Sequence, residues 1–159
     1  MSPKMSNDRF VYVTYIRSTP EKIWQALTLP EFQRQYWFGM HIDSDFKAGS
    51  PWKLAFDDGR VADEGEILES NPPHRLVISW RHQMRPELTA EGPARASFEI
   101  EAAEGSVKLT VIHEIEREDS KLIQAVSGGW PSILSSLKSL LETGEPLVRP
   151  ALAPAHVQQ

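Results

Sequence analysis

His113 is the residue whose type and setting most suggest chemistry. It follows Val107, Leu109 and Val111 at every second position and precedes Ile115, so in a strand it shares their apolar face. A buried imidazole must find a hydrogen-bond partner. A ligand carbonyl or hydroxyl is one partner, and a neighbouring core group or water is the other. Asp63, Glu64 and Glu66 are the nearest thing to a carboxylate cluster, and paired carboxylates can divide acid and base roles. Alternation puts Asp63 on the face opposite Glu64 and Glu66, so the cluster reads as a solvated strand. His41, His74, His82 and His113 are not spaced as metal ligands, and His156 near the C-terminus adds nothing to that case; no metal or cofactor is expected. Ser127-Gly128-Gly129 resembles a nucleophile elbow but lacks the strand that should precede it. The five tryptophans remain: Trp24, Trp37, Trp52, Trp80 and Trp130. Such rings line pockets for small ligands. Plain core packing is the competing reading, preferred for Trp24 and left open for the other four.

The composition limits what these groups can serve. A chain of 159 residues with 40% apolar content and a net charge of −5 reads as one globular domain with no basic face for a nucleic acid. It has no cysteine, which excludes thiolate chemistry and disulfides. No segment reads as a secretory signal or a membrane span, so a cytoplasmic protein with no membrane partner is expected.

The elements that must position these side chains follow from periodicity. Residues 10–16, Phe10 to Ile16, are β-branched and aromatic, and read as the first strand. Ser18-Thr19-Pro20-Glu21 opens a helix carrying Ile23, Trp24 and Leu27, with Ser18 as the expected cap. A second short helix starts at Leu29-Pro30-Glu31 and stops at Gly39. Six strands are then expected at 42–46, 51–56, 61–69, 75–81, 95–101 and 106–116, divided by turn residues such as Asp57-Asp58-Gly59 and Asn71-Pro72-Pro73. Their apolar face collects Trp52, Leu54, Phe56, Leu76, Ile78, Trp80, Phe98 and His113. Gly65 lies mid-strand and predicts a bulge or bend. Arg81 to Ala94 reads as a long hairpin loop, a candidate lid. Lys121 to Val126 predicts a helix that Gly128, Gly129 and Pro131 interrupt or kink. It resumes with Ile133, Leu134, Leu137, Leu140 and Leu141 on one stripe, and ends at Gly144. The domain is expected over 9–147, with 148–159 a flexible or docking tail.

Three segments carry a resemblance. Thr19-Pro20-Glu21-Lys22-Ile23-Trp24, then Asn71-Pro72-Pro73-His74-Arg75-Leu76-Val77, then Gly129-Trp130-Pro131-Ser132-Ile133-Leu134 are similar, in that order, to motifs of the family of activators of heat-shock protein 90 ATPase, C-terminal type. The resemblance implies the START-like helix-grip fold: an α+β domain whose curved antiparallel sheet of about seven strands wraps a long C-terminal helix. It also implies a hollow between sheet and helix, with Trp37, Phe38, Trp52, Phe56, Ile78, Trp80, Phe98, His113, Trp130 and Leu134 around it. The expected function is non-catalytic binding of a hydrophobic or aromatic small molecule there, in a stress-related setting, by a monomer or homodimer. Two alternatives stand beside it. One is an enzyme of cyclase or hydrolase type that uses a cavity histidine; the other is a chaperone cofactor or other protein-interaction module. In the family's co-chaperone a separate N-terminal domain engages the client ATPase. The first strand here starts near Arg9, so that domain is not expected in this chain.

Overall fold

The computed structural model describes residues 8–147, and the expected 148–159 tail lies outside the described residues. β1 (Asp8–Ile16) leads into α1 (Pro20–Thr28) and α2 (Pro30–Tyr36). Six strands follow: β2 (His41–Asp43), β3 (Pro51–Ala55), β4 (Val61–Asn71), β5 (Arg75–His82), β6 (Ala94–Ala103) and β7 (Ser106–Ile115). α3 (Pro86–Thr89) interrupts the β5–β6 connection, and α4 (Lys121–Thr143) closes the fold. The sheet is antiparallel in the order β1-β7-β6-β5-β4-β3-β2. One face is solvated. The other is covered by α4 and the α1–α2 pair, which bury Ile133, Leu134, Leu137, Ile23 and Tyr36 against Leu76, Ile78, Phe98 and Leu109. This is the helix-grip α+β fold.

Several local expectations are corrected. Thr19, not Ser18, caps α1: its hydroxyl accepts from the Lys22 N–H at 3.3 Å, with Pro20 in the first turn. α4 is one continuous helix with Pro131 inside it rather than two pieces. A mid-helix proline costs about 3 kcal/mol. Burying Trp130, Ile133, Leu134, Leu137 and Leu140 offsets this, at roughly 1.5–3 kcal/mol per large apolar side chain. β2 stops at Asp43 rather than running to residue 46, because Phe46 adopts a left-handed backbone (φ 59°).

The expected lid is not structureless. α3 buries Leu88, and Glu91 then latches the segment to the start of α4. The Glu91 carboxylate accepts from the Ser120 hydroxyl at 2.6 Å and from the Lys121 N–H at 2.7 Å. An anion there satisfies donors that the first helical turn leaves open. Burial alone would raise the Glu91 pKa, but these donors hold it below the usual carboxylate range.

Gly65 is not itself a bulge. β4 shifts register on either side of it, with Ala62 the extra residue against β3 and Leu68 the extra residue against β5. Gly65 serves a close approach instead. A Cβ there would lie 2.1 Å from the Ser79 carbonyl oxygen and 2.8 Å from Trp52 Nε1, and that indole donates to the same carbonyl at 2.9 Å. At the β1 margin, Lys138 Nζ donates to the Tyr15 carbonyl at 2.6 Å, and Glu142 accepts the Arg17 N–H at 2.7 Å.

Candidate functional site

Alternation along β3, β5, β6 and β7 delivers Trp52, Trp80, Phe98 and His113 to the covered face, all at most 4% exposed. Trp37 arrives differently. It ends α2, and left-handed Phe38 and Gly39 (φ 54° and 77°) turn the chain away after it, leaving Trp37 buried and Phe38 half-buried. α4 supplies Trp130. These rings form one connected cluster. Trp80 lies 4.8 Å from Trp52, 5.1 Å from His113 and 5.7 Å from Trp130, centroid to centroid. Trp130 meets Trp37 and Phe98 edge-on, both at 5.7 Å. The structure therefore brings Trp37, Trp52, Trp80, Phe98, His113 and Trp130 into ring contact. Ile78 and Leu134 are buried in the same core. Phe56 lies at its border, with the Arg60 guanidinium 4.3 Å above its ring. In the space where a hollow is expected, these rings touch one another. A surface groove of about 580 Å³ lies elsewhere, among Trp24, Leu29, Phe46, Lys47 and Pro72.

His113 sits opposite Ala96 on β6, where a methyl side chain leaves room for the imidazole and for Trp130. The Trp130 indole donates from Nε1 to His113 Nδ1 at 3.0 Å. With Nδ1 accepting, the proton of the neutral ring is on Nε2. That nitrogen is buried and has no hydrogen-bond partner among the described residues. Desolvation lowers the His113 pKa from 6.5 to about 3, so the ring is neutral near pH 7. It is a fixed donor, not a proton carrier.

Asp63 overturns the expectation of a solvated strand: it is 7% exposed and faces inward. Its Oδ1 accepts from Trp80 Nε1 at 2.9 Å and pairs with His82 Nδ1 at 2.8 Å. The alternation holds the signal for this pair. Counting by twos from Ile67 through Gly65 reaches Asp63, and counting from Leu76 through Ile78 and Trp80 reaches His82. The register sets Asp63 directly opposite His82. Charge points the other way, since an unpaired carboxylate usually faces water. That rule fails here because two donors meet Asp63.

The sequence model of the family described as Activator of Hsp90 ATPase homolog 1-like protein matches residues 17–142. Nothing among curated proteins matches. Solved structures share the fold. A protein from Cytophaga hutchinsonii is 28% identical with a TM-score of 0.66, covering 89% of this chain and 96% of its own. The Aha1 dimer of Colwellia psychrerythraea is 24% identical with a TM-score of 0.64, covering 86% and 98%. DynU16, a protein in the dynemicin biosynthetic locus, is 19% identical with a TM-score of 0.70, covering 87% of this chain and 49% of its own. Among the described residues no helix is long and apolar enough to cross a membrane. With its three motifs, its helix-grip sheet and a match over most of its length, the chain belongs to the Activator of Hsp90 ATPase homolog 1-like family.

Proposed function

We propose that this protein binds an apolar or aromatic small molecule at the rings around His113, without transforming it. The supporting observation is the buried, unpartnered His113 Nε2 amid Trp80 and Trp130. A buried donor without an acceptor costs about 1–3 kcal/mol, and a ligand carbonyl or ether oxygen would remove that cost. Because the rings touch, a guest enters only as they move apart. Separating each edge-on ring pair costs roughly 0.5–1.5 kcal/mol, which packing against the guest must offset. The lowered His113 pKa argues against the cyclase or hydrolase alternative, since an effective general base titrates near the working pH. The likeness to a protein in a biosynthetic locus is in keeping with a small-molecule ligand.

2-Acetylnaphthalene offers a ring system and one acceptor. Titrating it should quench tryptophan fluorescence saturably and move the His113 Nε2 resonance in ¹⁵N-histidine spectra. Absence of both effects, together with no thermal shift from a panel of aromatic compounds, would refute the reading.

A second reading is favoured by one observation. Val11, Val13 and Tyr15 form an exposed stripe on the outer face of β1, each 45–52% accessible. Self-association through this face fits such a stripe, and a similar fold has been solved as a dimer. Light scattering on the wild type and on Val13→Glu separates the cases: a dimer that Val13→Glu dissociates supports it, and a wild-type monomer at high concentration excludes it.

A further inference from the structure

His82 is the complement of His113. The Asp63 carboxylate can only accept, so His82 Nδ1 carries the proton in their 2.8 Å hydrogen bond. In the neutral ring, Nε2 is then left as a bare lone pair. It is buried and has no partner among the described residues. One histidine therefore presents an unmet donor and the other an unmet acceptor. Both border the Trp80 indole, His113 by ring contact at 5.1 Å and His82 through the shared Asp63 oxygen. Their positions differ: His113 is 0% exposed, whereas the His82 side chain is 18% exposed. His82 thus stands at the rim, where β5 ends and the Thr89 hydroxyl of α3 donates to its carbonyl at 2.6 Å.

We propose that His82 Nε2 is the acceptor for a hydroxyl or ring N–H of the molecule entering the aromatic interior, with Asp63 as its positioning residue. This rests on the small-molecule reading above and narrows the ligand to an aromatic that carries a donor, such as a phenol, an enol or a pyrrole-type N–H. Asp63 contributes by fixing the tautomer: without an acceptor at Nδ1 the proton is free to sit on Nε2, which would then repel the ligand's donor. Trp80, bonded to the same oxygen, holds the carboxylate in place and offers the flat surface beside it. No proton leaves the ligand in this arrangement; the hydrogen bond orients it.

Three probes of similar size test the proposal: 2-naphthol, which donates, 2-methoxynaphthalene, which cannot, and naphthalene, which has no polar group. The wild type should bind 2-naphthol about five- to tenfold more tightly than 2-methoxynaphthalene, the usual worth of one hydrogen bond. His82→Leu should abolish that preference while leaving naphthalene affinity within about twofold, the spread expected of a substitution that naphthalene's binding does not depend on. In ¹⁵N-histidine spectra of the wild type, 2-naphthol but not naphthalene should shift the His82 Nε2 resonance. Equal binding of all three probes would overturn the acceptor role and leave the small-molecule reading standing. Failure of all three to bind would overturn the acceptor role, and the small-molecule reading falls with it only where 2-acetylnaphthalene and the aromatic panel also fail. If His82→Leu does not fold, the wild-type spectra decide: bound 2-naphthol with an unmoved His82 Nε2 refutes the proposal.

Discussion

The two faces of the sheet handle polar groups in opposite ways. On the solvated face Arg75 bonds Glu69 and Glu99, and Arg95 bonds Glu114 across neighbouring strands. Each of these charges can exchange its partner for water, so such pairs contribute little. On the covered face polar side chains are held by specific protein groups: His113 by Trp130, Trp80 and His82 by Asp63, and the Tyr36 hydroxyl by the Ala26 carbonyl at 2.8 Å. Water cannot substitute there, so each bond fixes a ring, a tautomer or both. The contrast teaches where function can be encoded. Outside, charges are many and interchangeable; inside, polar groups are few and each sets the state of the next.

The sharpest way to break the contrast is to spoil the packing that holds the inner face. Gly65→Val would press a side chain into the Ser79 carbonyl and the Trp52 indole. It should destabilise by about 3 kcal/mol or more, since backbone must move to relieve it; urea unfolding reads this directly. Next comes Asp63→Ala, which strands the Trp80 N–H and leaves the His82 tautomer unfixed. A loss of about 2–3 kcal/mol is expected from an unmet buried donor, and a normal urea midpoint would show that water takes over.

pH separates the faces further. The folded-state pKa of His113 is about 3, below the ordinary value of 6.5, so the unfolded chain takes up a proton that the native ring refuses. This contribution is complete above pH 6.5 and shrinks as pH falls toward about 3, by roughly 1.4 kcal/mol per unit. Between pH 6.5 and 5 the wild type should lose about 1.6 kcal/mol more than His113→Phe. Parallel stability curves would mean that the ring is hydrated. The smallest effect belongs outside: Arg95→Ala should change stability by less than about 0.5 kcal/mol, and a larger loss in thermal melts would erase the distinction between the faces.

The sheet is legible in the sequence because turn residues and two-residue alternation coincide along most of it. That alternation finds His113, whereas its partner Trp130 is expected nearby only through the family resemblance, since the stripe read on α4 begins at Ile133. Asp63 follows the same period, yet its charge argues for the solvated side and hides it, while His82, at a strand end, is not singled out by its position. The continuity of α4 through Pro131 is hidden for a different reason: local propensity opposes it, and only the buried stripe, summed over the whole helix, outweighs that. Trp37 cannot be placed by period at all, because the left-handed turn at Phe38 and Gly39 aims it. Neither can the meeting of the rings, which brings together side chains from α2, α4, β5 and β6 that are far apart in the chain.

The bonds from Lys138 and Glu142 to the backbone of Tyr15 and Arg17 have a consequence for how copies of this molecule can meet. They occupy hydrogen-bonding groups at one margin of the sheet, while the strand at the opposite margin, His41–Asp43, offers only three residues. The β2 border gives a foreign strand only a short template on which to zip, and at the β1 border the Tyr15 carbonyl is already engaged. A second copy that meets the β2 margin is thereby left to associate through side chains rather than through main-chain pairing.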